Sequence, residues 1–254
     1  MKNPKSILIT GGSSGLGEAL ALDYAAEGMT LFLSGRNEAR LTAVTERCRT
    51  LGAEVHMGLI DTSDEKAMAQ WMEDCDATRT LDLVVANAGI GLGYYTNMDL
   101  GAHTKQIFEV NVNGVFNTVH PAIRLMQPRA RGQIALVSSL AGYHGTPTAP
   151  AYSTSKACVK AYGEALRGLY ARHGIEINVV CPGFVKSALT ASNKFPMPFL
   201  METNKAARAL RRGLEKNQAR ITFPWQLSLL YGAVVRFLPE WLFDRITRVM
   251  PSKN

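Results

Sequence analysis

The sequence predicts an α/β fold, a single doubly wound parallel sheet with helices on both faces. Three observations carry that expectation. Short runs rich in Val, Ile and Leu alternate with helical patterns along the chain, as parallel strands joined by right-handed crossovers do. A glycine-rich turn follows the first apolar run directly. No linker or internal repeat divides the 254 residues, a length one α/β domain can fill. The chain is therefore read as a single domain, 1–254, in which 190–254 form a loop and a C-terminal helical extension.

The elements follow in order. Residues 6–9 are a short buried strand. Residues 18–27 have helical spacing, with Ala19, Leu22 and Ala26 on one face. A second strand is expected at 30–33 and a second helix at 38–51. Further strands are expected at 53–59, 81–86, 133–137 and 176–181. Helices at 64–78, 103–126 and 151–173 separate them. Residues 204–216 are a basic helix, and 219–223 a final strand. In such sheets ligands bind beyond the carboxyl ends of the strands, so chemistry is sought in the segments just after each strand.

Composition narrows the class. With 46% hydrophobic and 19% charged residues, the chain can bury a core and is not a disordered tail. No apolar stretch reaches the length of a membrane span. Only Ile7, Leu8 and Ile9 precede the first turn, too few for a secretory core. Cys48, Cys75, Cys158 and Cys181 are widely spaced, which suits reduced thiols rather than a disulfide or zinc framework. A cytoplasmic protein without a metal site is expected.

The charge is uneven. The 28 Lys and Arg against 21 Asp and Glu give +7. Residues 1–203 hold 18 of each sign, whereas 204–254 hold 10 basic and 3 acidic residues. The extension is also apolar: 221–235 carry no charge and include Trp225 and Tyr231, followed by Arg236, Trp241, Arg245 and Arg248. Aromatic residues beside arginines suit the interface of an anionic membrane. They suit equally a lid over a pocket or a subunit contact. No nucleic-acid motif accompanies the charge, so no nucleic-acid partner is expected.

The first strand end reads Thr10-Gly11-Gly12-Ser13-Ser14-Gly15-Leu16-Gly17. Glycines let the backbone turn tightly and approach a ligand, and the following helix offers free N–H groups and the positive end of its dipole. Together these suit a pyrophosphate. The second strand ends at Gly35-Arg36. An acidic residue here would take a ribose 2′-hydroxyl, and an arginine takes a 2′-phosphate. Arg36 therefore predicts NADP(H) in preference to NAD(H). Asp61 and Asn87-Ala88-Gly89 end the third and fourth strands; taken alone, each is also an ordinary turn or cap.

Tyr152 and Lys156 are four residues apart at the start of a predicted helix and share a face. A tyrosine, with a pKa of about 10, is a poor proton shuttle at neutral pH. A nearby ammonium stabilises the phenolate and brings it into range. Ser139 ends the strand at 133–137, on the edge where ligands bind. Asn111 and Asn113 interrupt an apolar helix, an unfavourable choice unless one of them bonds to something specific.

Taken in order, these residues resemble the short-chain dehydrogenase/reductase family over about 5–190. The resemblance rests on Thr10-Gly11-x-x-x-Gly15-x-Gly17, Asp61, Asn87-Ala88-Gly89, Asn111, Ser139, Tyr152-x-x-x-Lys156 and Pro182-Gly183. It implies a Rossmann-like fold and a role for each residue. Gly11 to Gly17, with Ser13, Ser14 and Leu16, would surround the pyrophosphate. Asp61 would approach the adenine, and Asn87, Ala88 and Gly89 would support the cleft. Tyr152 would be the proton donor or acceptor. Lys156 would lower its pKa and bond the nicotinamide ribose. Ser139 would bond the substrate oxygen, and Asn111 would hold a water of a proton relay. Pro182, Gly183 and Val185 would border the nicotinamide, with Ser187 where the family usually has threonine. Ala86 stands where many relatives have a second asparagine.

The expected activity is hydride transfer between NADP(H) and a carbonyl or alcohol substrate. The apolar segment 196–200 falls where the family places a substrate loop, which suggests a hydrophobic substrate portion, lipid-like or an acyl ketone. Reduction of a 3-oxoacyl thioester is one specific form. A non-catalytic NADP(H)-binding regulator on the same fold is the alternative from another class; sugar-nucleotide epimerase chemistry is disfavoured by the short C-terminal part. By analogy, a homodimer or homotetramer pairs through 103–126 and 151–173.

Overall fold

The computed structural model describes residues 2–91, 99–191, 196–234, 237–239, 241–242 and 245. Arg236 and Arg248 of the extension lie outside them. Seven strands form one parallel sheet: β1 (Ser6–Thr10), β2 (Thr30–Ser34), β3 (Glu54–Gly58), β4 (Leu83–Ala86), β5 (Gly132–Val137), β6 (Ile175–Pro182) and β7 (Arg220–Phe223). Their order is β3-β2-β1-β4-β5-β6-β7. β1 pairs with β2 on one side and β4 on the other, Ile7 standing opposite both Leu31 and Leu83. The chain reverses its direction of travel across the sheet at this point, which opens a crevice at the carboxyl ends of β1 and β4.

β1 and β2 are buried at every position because helices cover both faces. Alternate side chains feed opposite layers. Ile7 and Ile9 join the core under α1 (Gly15–Tyr24), α2 (Glu38–Thr50) and α8 (Thr203–Glu215). Leu8 and Phe32 join the core under α3 (Glu65–Thr78), α5 (Gly114–Met126) and α6 (Pro150–Tyr170). Each such fully buried aliphatic side chain contributes about 1.5–3 kcal/mol. The helix starts are built by side chains that accept the first free N–H groups. Asn37 accepts from Arg40 N at 2.9 Å, and Asp64 accepts from Ala67 N at 3.0 Å.

Two helices differ from expectation. α1 begins at Gly15, not residue 18. Its first turn faces the crevice, so apolar periodicity starts only where the helix meets the core. The helix expected at 103–126 starts at Leu100 as α4 (Leu100–Phe108), capped by Asp99, which accepts from Gly101 N and Ala102 N. It then widens into a π turn at Glu109–Asn113 before continuing as α5. Such turns often mark functional sites, and this one carries Asn111.

The end of the chain straddles the sheet edge. After the short α7 (Ala188–Ala191), α8 lies over one face against α1. α9 (Trp225–Leu229) lies over the other, where Leu227 packs with Leu140, Val179 and Cys181. Among the described residues, no helix is long and apolar enough to cross a membrane. The four cysteines are unpaired.

Candidate active site

The carboxyl ends of the first six strands surround a cleft of about 670 Å³. From the first strand end, Gly11, Ser13, Ser14, Gly15 and Leu16 line it. Gly11 and Gly15 have φ of +67° and +58°, values that side-chain-bearing residues rarely adopt. The turn runs into α1, whose first N–H groups face the cleft. Gly17 lies outside the lining. A Cβ there would stand 2.3 Å from the Gly11 carbonyl oxygen and 2.6 Å from Asn87 Nδ2. Its bare backbone lets the helix close on the turn.

Asn87, Ala88 and Gly89 line the middle of the cleft. Asn87 Nδ2 donates to the carbonyls of Thr10 and Gly11 at 2.9 and 3.2 Å. Thr10 Oγ1 accepts from Asn87 N and Ala88 N, both at 3.1 Å. The β4 turn is thus stitched to the glycine turn.

Arg36 and Asp61 face each other at one end. Arg36 Nη1 donates to Asp61 Oδ2 at 3.4 Å. The other carboxylate oxygen accepts from the backbone N–H and the hydroxyl of Ser63 at 3.0 and 2.8 Å. Partial burial pushes the Asp61 carboxyl up; the two Ser63 bonds and Arg36 outweigh it and hold it below its usual range.

Tyr152, Lys156 and Ser139 meet at the other end. Lys156 is 4% exposed, its Nζ 5.8 Å from the Tyr152 ring centroid and donating to the Val137 carbonyl at 3.0 Å. Burial brings its pKa down from 10.5 to about 8. Burial raises that of Tyr152, and a hydrogen bond with the Ser139 hydroxyl opposes the rise. Ser139 Oγ also accepts from Ala141 N at 3.1 Å and donates to the Pro182 carbonyl at 3.4 Å. Pro182, Gly183 and Val185 complete this wall.

Asn111 supports the wall from behind. It is fully buried and does not line the cleft. Its Oδ1 accepts from Ile90 N at 2.8 Å, while Nδ2 donates to the Ile90 carbonyl at 2.9 Å and to Ser155 Oγ at 3.2 Å. Both amide hydrogens are therefore committed to protein. A Cβ on Gly89 would lie 3.2 Å from Asn111 Oδ1 and 3.3 Å from Lys156 Nζ, so Gly89 occupies the narrow gap between them. Asn113 is exposed and donates to Glu109 Oε2 at 3.0 Å.

Arg40 and Thr190 also line the cleft, and neither stands out in the sequence. Arg36 precedes the cap of α2, and Arg40 lies in its first turn. Thr190 Oγ1 accepts from Ser187 N and donates to the Val185 carbonyl, at 2.9 and 2.8 Å. It thereby shapes the segment that brings Ser187 to Gly15, where an added Cβ would lie 3.2 Å from Ser187 Cβ.

The arrangement has one end that suits phosphates and one that suits proton transfer to an oxygen. A dinucleotide fits it: bare glycines approach where a diphosphate would lie, and arginines stand at the far end. The comparisons agree with this reading of the fold. The family model described as short chain dehydrogenase matches residues 5–196. A protein of Myxococcus xanthus described as an uncharacterized oxidoreductase is 38% identical over 245 residues, 96% of each chain. A 3beta-hydroxysteroid dehydrogenase of Mediterraneibacter gnavus is 36% identical over 188 residues, 73% of this chain and 68% of that one. A short-chain dehydrogenase from Sphingobium yanoikuyae, solved in complex with NADPH, superposes with a TM-score of 0.80 at 19% identity, covering 98% of this chain and 97% of that one. On its matched residues and its fold, this chain belongs to the short-chain dehydrogenase/reductase family of oxidoreductases.

Proposed function

We propose that the protein is an NADP(H)-dependent oxidoreductase acting on a carbonyl/alcohol pair, with Tyr152 as proton donor in the direction of reduction. The observation that carries this reading is the convergence of Tyr152, Ser139 and buried Lys156 on one wall of the cleft. When bound, the nicotinamide supplies or takes the hydride. The chain's own residues orient the substrate and move a proton. Ser139 and Tyr152 both donate hydrogen bonds to the substrate oxygen, where negative charge grows in the transition state. The Tyr152 proton then passes to that oxygen. The Lys156 ammonium stabilises the phenolate left behind and would bond the ribose hydroxyls of a bound cofactor. Asn111 holds the Ile90 backbone and, through Gly89, the position of Lys156; a relay water on it would use a remaining oxygen lone pair.

Gly11, Ser13 to Leu16, Asn87 to Gly89, Pro182, Gly183 and Val185 would hold the cofactor, Asp61 would border the adenine, and Arg36 would take a 2′-phosphate. The NADPH bound by the Sphingobium relative supports that choice. Phe199 and Leu200 are exposed rather than part of the core, which supports a hydrophobic substrate portion. A screen of carbonyls of increasing chain length, following NADPH oxidation with Tyr152→Phe as blank, tests the reading. Turnover that persists in the blank, or kcat/KM that does not grow with chain length, contradicts its respective part.

The extension supports a peripheral contact. Trp225, Leu229, Leu230, Phe237 and Trp241 are all exposed, Trp225 at 71% and Trp241 at 68%. Exposed aromatics in a segment that also carries exposed Arg245 would fit an anionic membrane surface. We also read the chain as a homodimer or homotetramer, by analogy with its family.

A further inference from the structure

One helix braces the cleft at two places. The π turn at Glu109–Asn113 closes with Gly114 N donating to the Glu109 carbonyl, and α5 continues from it. Within the π turn, Asn111 holds the Ile90 backbone beside the catalytic wall. Further along, in α5, Asn117 Nδ2 donates to the Thr62 carbonyl at 2.9 Å and to the Ser63 carbonyl at 3.2 Å. Those carbonyls belong to the turn between β3 and α3, at the end of the cleft where Asp61 faces Arg36.

The helix comes very close to that turn. A Cβ on Gly114 would stand 2.6 Å from Thr62 Oγ1 and 3.1 Å from Thr62 Cβ. Asn117 lies one helical turn beyond Gly114 and so shares its face. Ile60, Asp61 and Thr62 line the cleft, whereas Asn117 does not. The two amide bonds reach Asp61 through Ser63. Asn117 fixes the carbonyl side of Ser63, while the N–H and hydroxyl of Ser63 hold Asp61 Oδ1 at 3.0 and 2.8 Å. Both backbone partners are acceptors, so the residue at 117 has to donate. An asparagine does; an aspartate of nearly the same size does not when ionised.

We propose that Asn117 is a positioning residue for the cofactor, holding the 60–63 turn, and with it Asp61 and Thr62, where the adenine and its ribose are received. A wall that is fixed before binding loses no freedom when the ligand arrives, so the bond shows up as affinity. Asn111 and Asn117 then serve opposite ends of the same cleft from one helix. This inference rests on the dinucleotide reading above and deepens it.

The test is a set of dissociation constants for NADPH, NADH and 5′-AMP, by fluorescence or calorimetric titration without turnover. Wild type, Asn117→Ala, Asn117→Asp and Asn117→Gln are compared. All titrations are run well below the lowest thermal midpoint of the ligand-free set, so unfolded chains do not enter. Asn117→Ala is expected to weaken all three ligands by a similar factor, about three- to tenfold, the range for a neutral hydrogen bond, because each carries the adenine and its ribose. Asn117→Asp keeps the size and loses the donor, and is expected to bind no better than Asn117→Ala. Asn117→Gln keeps the donor on a longer arm and recovers part of the loss. Equal binding by wild type and Asn117→Ala overturns the proposal. So does Asn117→Asp that binds like wild type, because the size of the side chain alone would then matter, or Asn117→Gln that binds no better than Asn117→Asp. A loss for NADPH and NADH with 5′-AMP unchanged also overturns it, since the effect would lie away from the adenine wall. Wild type that binds none of the three overturns the dinucleotide reading and this proposal with it; wild type that prefers NADH overturns the choice of NADP(H) and leaves this assignment to stand on the variants.

Discussion

Lys156 Nζ sits 5.8 Å from the centre of the Tyr152 ring while donating to the Val137 carbonyl at 3.0 Å. A strand end thus holds the ammonium beneath the phenol. Burial disfavours that charge, bringing its pKa to about 8. The same ammonium is what makes a Tyr152 phenolate tolerable.

The pH dependence follows from that number. Reduction requires Lys156 protonated, so kcat/KM for a carbonyl is expected to hold below pH 8 and fall above it, since this ratio reports the free enzyme. Lys156→Arg, which stays charged, is expected to be slower but to lack the break near 8. Stability runs the other way. The folded pKa lies below the unfolded 10.5, so the folded state loses this proton first. The desolvation penalty is carried in full below about 8 and is relieved as pH rises from there to 10.5. Urea titrations of wild type against Lys156→Met across this window check the sign: the gap in favour of Met should narrow as pH rises.

Asn111→Ala removes the side-chain partner of the part-buried N–H and carbonyl of Ile90. A buried unsatisfied group costs about 1–3 kcal/mol; because Ile90 borders the cleft, where water can replace part of these bonds, a total loss of about 1–3 kcal/mol in unfolding free energy is expected from denaturant titration. Turnover should fall as well, because Gly89 and Lys156 lose their support. A variant with wild-type stability would remove Asn111 from this role.

Gly17→Ala sets a methyl group 2.3 Å from the Gly11 carbonyl oxygen. Backbone must shift, at about 1–3 kcal/mol or more, and the glycine turn shifts with it. The expected result is a lower thermal midpoint together with weaker NADPH binding. Gly168→Ala, at a helical site where a Cβ meets nothing within 4 Å, serves as the control and should be neutral or stabilising.

The exposed aromatics of the extension make a prediction about lipid. The protein should float with anionic liposomes at low salt, much less with zwitterionic ones, and less after Trp225→Ala plus Trp241→Ala. Equal recovery from both vesicle types in the soluble fraction would contradict membrane contact. A wild-type dimer that the double variant converts to monomer would assign the same face to a subunit contact instead.

Much of this architecture is legible in the sequence because its causes are local. Ile7-Leu8-Ile9 and Leu31-Phe32-Leu33 read as buried strands, since both faces of a parallel sheet are covered. Tyr152 and Lys156 are one helical turn apart. Asn111 is conspicuous as a polar residue in an apolar helix, and the structure gives it Ile90 and Ser155 as partners. What escapes the sequence depends on distant partners. The π turn at Glu109–Asn113 has no periodic signature five residues long. Gly17 looks like a ligand glycine, yet its closest neighbours are Gly11 and Asn87. Arg40 reads as one more surface charge on α2 until the cleft beside it is seen.

The most direct test of the central claim is single-turnover reduction by Tyr152→Phe, measured alongside its NADPH dissociation constant. Loss of the general acid predicts a rate about 10²–10⁴-fold below wild type, with NADPH binding within about twofold. A rate near wild type, with binding intact, would contradict the assignment of Tyr152 as proton donor and with it the proposed chemistry.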